Sequence, residues 1–195
     1  NRADLKTQIV DSMSMEKPAS GVHVSVGGQR GLFIPDDEGF VRLNEVFLRP
    51  SIDLIEVHSP GYLKSWITPA ATKDVFPDPI QMFSREQLKS IFSGVDGDVN
   101  LSQGVILAQL RPEKFHRPVV AEVFSFSGRR SRQAQIFYFD EKGLNSQLKA
   151  TVPLVGGVAV TNLEDGEWHL LLMDAATRIP VSCQVQKKKK NVVTQ

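Results

Sequence analysis

Short runs of alternating apolar and polar residues organise the first part of the chain. Val22-His23-Val24-Ser25-Val26 places three valines on one face and His23 and Ser25 on the other, the period-two pattern of a half-buried strand. Leu5 to Val10, Leu32-Phe33-Ile34, Phe40 to Leu43 and Ile52 to Val57 predict further strands. Turn chemistry separates them: the polar Asp11 to Ser20 with Pro18, Gly27-Gly28, Pro35-Asp36-Asp37-Glu38-Gly39 and Ser59-Pro60-Gly61-Tyr62. In the third of these an Asp can cap its own backbone and Gly39 can take a positive φ. Turn signals at about ten-residue spacing are the signature of an all-β sandwich.

The middle changes character. Pro69, Pro77 and Pro79 interrupt regular structure, and Phe83-Ser84-Arg85-Glu86-Gln87-Leu88 then carries a capping box. Ser84 can accept from the Gln87 amide while the Gln87 side chain reaches back. The pattern predicts a helix over 84–93, ended by Gly94 in the left-handed conformation, with Leu88, Ile91 and Phe92 on one apolar stripe. A helix this short needs a docking surface, so those three residues are expected to pack between modules.

Strands return with Val105 to Leu110, Val119 to Phe126, Gln135 to Phe139, Gly157 to Val160, a long and largely buried Glu167 to Met173, and a final pair, Val181 to Gln186 and Asn191 to Thr194, turned by four lysines. The halves share an order of events, with Ala19 to Val24 corresponding to Val119 to Phe124 and Asp37 to Leu43 to Val155 to Val160, which points to a tandem repeat. The expected organisation is a sandwich over 1–78, a linker over 79–103 and a second, divergent sandwich over 104–195.

Composition fits this picture. The 195 residues are 41% hydrophobic and 23% charged, near the globular average, and no run approaches the length of a membrane span. The chain opens Asn1-Arg2-Ala3-Asp4 without a Met or an apolar leader, so it reads as a trimmed piece of something longer. The net charge of +1 conceals an acidic first part and a basic second part, with clusters at Arg129-Arg130-Ser131-Arg132 and Lys187 to Lys190. Such clusters can hold polyanions but usually mark solvated turns, so nucleic acid is not the favoured partner. The one cysteine, Cys183, excludes an intramolecular disulfide, and alternation with Val181 and Val185 predicts a buried thiol.

The motifs of the first half resemble the carboxypeptidase regulatory-like domains, small transthyretin-like β-sandwiches of secreted and envelope proteins. Ile9-Val10-Asp11, Lys17-Pro18 and Gly21-Val22-His23-Val24 match the opening of the family pattern. Asp36-Asp37-Glu38-Gly39-Phe40 matches its acidic turn, and Ile55 to Tyr62 its closing segment. Gly157 to Gly166 looks like a looser copy without the acidic turn. The resemblance implies two tandem immunoglobulin-like sandwiches in a secreted, periplasmic or cell-surface setting. These motifs set turns and core positions and carry no chemistry. Two related enzyme groups are not matched: the terminal Tyr-Arg-Gly-Ser of the hydroxyisourate hydrolases is missing, and Tyr62 and Tyr138 do not supply the ligand pattern of the intradiol dioxygenases.

Candidate chemistry is sparse. Glu167 and His169, with Asp165 nearby, share a strand face, but a metal site needs three or four convergent ligands. Asp96-Gly97-Asp98-Val99-Asn100 resembles a calcium loop that has Phe92 and Gln103 where two oxygen ligands belong. No nucleophile elbow, H-E-x-x-H or P-loop is present. No enzyme activity and no cofactor are expected. The leading reading is a non-catalytic interaction or spacer module that binds a protein or cell-wall component. The second is a glycan- or polyanion-binding module using Arg129, Arg130 and Arg132 with Tyr62, Trp66 or Tyr138 as stacking platforms. The third is a CnaB-type stalk domain with Lys6 and Glu56 as the amine and acid of an isopeptide bond, although residues 63 to 80 hold no asparagine to complete it.

Overall fold

A computed structural model of the chain describes residues 2–18, 21–27, 31–47, 55–67, 79–110, 116–153, 156–188 and 192–195. Apart from one short helix and a 3-10 turn, the regular structure among them is β. The chain divides into two compact units, Asn1–Gln87 and Leu88–Gln195. The segment read as a linker is shared out: 79–87 group with the first unit and 88–103 with the second.

The first unit contains β1 (Arg2–Asp11), β2 (His23–Val26), β3 (Phe40–Phe47), β4 (Ile55–His58), β5 (Lys64–Ile67) and β6 (Ile80–Met82). β1 lies between an antiparallel β3 and a parallel β6, while β2, β4 and β5 form an antiparallel run in the order β5-β4-β2. Ile9, Leu43 and Met82 from the first group and Val24, Ile55 and Val57 from the second are buried in one core. Alternation explains the assignment, since Ile55 and Val57 point inward while Glu56 and His58 do not.

The turn before β3 works as its residues dictate. The Asp36 carboxylate accepts from the Glu38 and Phe40 amides at 3.1 and 2.8 Å, and Gly39 has φ +86°. A Cβ at Gly39 would lie 2.8 Å from the carbonyl oxygen of Ile9, whose own N–H donates to the Gly39 carbonyl at 2.9 Å. β1 and the turn therefore approach too closely for any side chain.

A second local device ties three segments together. The Asp11 carboxylate accepts from the Met13 and Ser14 amides, both at 2.9 Å, from the Tyr62 hydroxyl at 2.9 Å and from Gln87 Nε2 at 2.8 Å. Gln87 can reach it because the capping box forms: its amide donates to Ser84 Oγ at 3.1 Å and its Oε1 accepts from the Ser84 amide at 2.6 Å. The helix that follows, α1, spans Arg85–Ile91.

The second unit contains β7 (Val105–Gln109), β8 (Val119–Ser125), β9 (Gln135–Asp140), β10 (Gly143–Asn145), β11 (Gly157–Thr161), β12 (Gly166–Asp174), β13 (Pro180–Lys188) and β14 (Val192–Thr194). β7 lies between an antiparallel β11 and a parallel β14, with β9 and β10 beyond β11, and β12 pairs with β8 on one side and β13 on the other. The neighbours of β7 correspond to those of β1, and β8-β12-β13 corresponds to β2-β4-β5. The β9–β10 hairpin is the addition. Val123, Val160, Leu170 and Leu172 belong to its core. The loop resembling a calcium site is held by Asn162, whose Oδ1 accepts from the Asn100 amide at 2.9 Å and whose Nδ2 donates to the Asp98 carbonyl at 2.8 Å. Asn100 in turn caps the 3-10 turn over Leu101–Gln103. Phe92 meets Phe137 edge to face at 6.0 Å; Leu88 and Phe92 are buried and Ile91 is half-buried.

Several expectations need correction. Cys183 is exposed, because Val181 and Cys183 lie on the outer face of β13 rather than against the core. The final two strands do not pair as a hairpin: β13 joins β12, whereas β14 crosses to run parallel to β7. Gly94 does not take a positive φ. The proline-interrupted middle still supplies β6, whose Ile80 and Met82 are buried, and β5 follows the Gly61-Tyr62 turn. Leu32 and Ile34 are exposed, and only Phe33 of that segment bridges to Val24.

Two outcomes follow from the local devices. Gly39→Ala should lower stability in urea unfolding by roughly 1–3 kcal/mol, the scale of forced left-handed backbone plus a close contact. Burial alone would raise the Asp11 carboxyl, but the Ser14, Gln87, Met13 and Tyr62 hydrogen bonds outweigh it and hold the group far below its ordinary 3.8. A depressed folded value means the stabilisation is fully present above 3.8 and is lost as pH falls below it. Asp11→Asn should therefore cost about 1–2 kcal/mol at neutral pH, allowing for partial exposure, and the gap to the parent should close on acidification in pH-dependent denaturation.

Candidate functional site

The arginine cluster occupies the turn after β8, where the Ser125 amide donates to the Arg129 carbonyl at 2.8 Å and the Gly128 amide to the Ser125 carbonyl at 2.8 Å. Arg130 turns back along β8, bridges Phe124 and pairs with Glu122 at 3.4 Å. Arg132 lines a different depression with Gln133, Asn162, Glu164 and Trp168, and Arg129 is exposed.

The aromatic candidates are committed elsewhere. Tyr62 packs against the first core with its hydroxyl on Asp11, and burial, then Asp11, raises that hydroxyl above its ordinary value. Trp66 is half-buried and donates its indole N–H to Glu56 at 2.8 Å, the residue directly opposite it on β4. Lys64 completes the group at 2.8 Å from Glu56. Burial would raise the Glu56 carboxyl, but Lys64 and Trp66 bring it below the ordinary value. Lys6 lies 4.4 Å from the Phe40 ring centroid, so the two residues named for an isopeptide bond, on β1 and β4, have separate partners on β3 and β5. Tyr138 is a core residue at 5% exposure, and its hydroxyl accepts from the Ala121 amide at 2.9 Å. Burial pushes that hydroxyl up.

What the sequence did not single out is the outer face of β8-β12-β13. With Ala121, Val123, Leu170 and Leu172 directed into the core, strand alternation sends Phe124, His169, Leu171, Val181 and Cys183 to the opposite side. Phe126 continues that row at 77% exposure, and Ile179 and Val181 are exposed at 63% and 49%. The Phe126 and His169 rings stack at 6.0 Å and 26°, and Cys183 Sγ lies 4.0 Å from His169 Nδ1. His169 thus stands against an aromatic ring on one side and a thiol on the other strand. Among the described residues no three His, Cys, Asp or Glu side chains come together as a metal site. The available signal was the spacing Phe124, Phe126, which placed two aromatics on the face opposite Ala121 and Val123.

No protein-family model matches this chain, and no curated protein matches it. No helix among the described residues is long and apolar enough to cross a membrane.

Tyr138→Phe removes the acceptor of a buried amide while keeping the ring. It should cost about 1–3 kcal/mol in denaturant unfolding, the penalty for an unsatisfied buried donor.

Proposed function

We propose that the chain is a non-catalytic interaction module, built as two tandem immunoglobulin-like sandwiches of an exported or cell-envelope protein, that docks a protein partner on the outer face of β8-β12-β13. The observation that carries this reading is the apolar outer face itself, which runs from the exposed Phe126 stacked on His169 at one end, past Phe124, Leu171 and Cys183, to the exposed Val181 at the other. Exposed apolar surface gathered on one sheet face marks a contact surface, whereas single exposed apolar residues do not. An exposed aromatic ring continued by half-buried apolar side chains suits an interface, and the Arg130–Glu122 pair on the edge strand β8 supplies a polar margin.

The tandem architecture is supported by the corresponding neighbours of β1 and β7. The relation to carboxypeptidase regulatory-like domains rests on motifs that act as turn formers, above all Asp36 with Gly39 and the Gly61-Tyr62 turn, and the exported setting rests on that relation.

A photoreactive benzoylphenylalanine placed at position 126 or 181 should form a cross-linked product of one defined mass in the cells from which the chain comes. The same probe at the exposed Met13 of the first unit serves as control. Phe126→Asp should abolish binding of the identified partner in reconstitution while leaving the melting temperature unchanged, because the side chain is exposed. Products no more abundant than at Met13, or undiminished binding by Phe126→Asp, would remove the proposal.

A further inference from the structure

A second feature of the same unit is independent of the apolar face. Between β8, β9 and residues 146–149 lies a shallow, open cleft of about 600 Å³ with a mainly polar lining. Three cationic residues line it: Arg130, Lys149 and Arg178. Arg130 is taken up by Glu122, but Arg178 and Lys149 make no ion pair among the described residues. The other acid in the lining, Asp96, accepts from Ser146 Oγ at 3.3 Å. Ile136, Leu148 and the buried Val120 give the cleft an apolar part, so unpaired positive charge and apolar surface meet in one concavity.

The placement of Arg178 is unusual. It ends the turn between β12 and β13 with φ +60°, a conformation that favours glycine or asparagine, and its amide donates to the Asp174 carbonyl at 2.9 Å. Asp174 fixes the turn by accepting from the Ala176 and Thr177 amides. Met15 has the same φ at the same position of an equivalent turn after Asp11, so strain alone does not single out Arg178. Arg178 differs in that it lines the cleft and is close enough to Tyr138 for its charge to act on that hydroxyl.

We propose that this cleft binds a small organic carboxylate with an apolar body, the carboxylate held by Arg178 and Lys149 and the body lying on Ile136 and Leu148. A guanidinium matches the planar, two-oxygen geometry of a carboxylate, and the mobile ammonium of Lys149 supplies the second charge. The buried Tyr138 and the strand edges of β8 and β9 give the site a fixed wall.

The test is a titration of the full isotopically labelled chain with naphthalene-2-carboxylate, followed by amide chemical shifts. Saturable shifts confined to residues 96, 120–122, 130, 136–138, 146–149 and 178 are expected. Neutral naphthalene-2-methanol and inorganic phosphate, each lacking one half of the recognition chemistry, should bind at least about ten-fold more weakly. Arg178→Gly should weaken carboxylate binding by at least about ten-fold while raising the melting temperature, because glycine relieves the left-handed backbone. Lys149→Gln, at an exposed side chain that cannot disturb folding, should weaken binding by about three-fold or more. No saturable shift, an equal response to the alcohol or to phosphate, or unchanged affinity in both variants would overturn the assignment.

Discussion

In each unit the last strand returns to lie parallel to the first: β6 beside β1 and β14 beside β7. Parallel neighbours cannot be joined by a tight hairpin; the chain must leave the sheet and cross over before it returns. Here the excursion is the second group of strands, β2-β4-β5 or β8-β12-β13, and its inward residues cover those of the first group. Closing the unit and forming its core are therefore one event. The ladder bonds of β6 have value only if Val24, Ile55 and Val57 are already stacked against Ile9 and Leu43, and the reverse holds as well.

Around this closure the chain uses small, self-contained devices. Asp11 and Asp174 build the same turn, each carboxylate accepting the amides two and three residues on, with a left-handed residue at the fifth position. The two turns then diverge in purpose. Asp11 has a second oxygen for Tyr62 and Gln87 and binds the end of β1 to two distant segments, whereas Asp174 spends a single oxygen on its own turn and aims the following arginine into a cleft. One backbone solution thus serves as a clasp in the first unit and as a bracket in the second.

What could be read in the sequence was what is decided within about four residues. Asp36 with Gly39, the Ser84–Gln87 box and the alternating valines of β2 all appear as read, because each depends on hydrogen bonds or side-chain periodicity inside one segment. Features that depend on distant segments were not legible. Alternation correctly put Cys183 with Val181, yet it could not say which face of β13 meets the core. That β14 would choose β7 over β13 follows from closure of the unit, which leaves no mark on Val192 to Thr194 themselves. The candidate site divides along the same line. The sequence offered Arg129, Arg130 and Arg132 as one cluster, whereas the cations that share the cleft with Arg130 come from the distant positions 149 and 178.

The parallel return of β14 also bears on how the chain is made. During synthesis the first unit has its closing strand, β6, once residues 80–82 have emerged, and it can complete its core while the rest is still being translated. The second unit repeats the delay, since β7 stays open along one edge until residues 192–194, its own last strand, have emerged. An unpaired strand edge is a template for pairing with other chains. In each unit the first strand is thus the part left longest exposed to misassembly, and completion of the core is gated by the arrival of three closing residues.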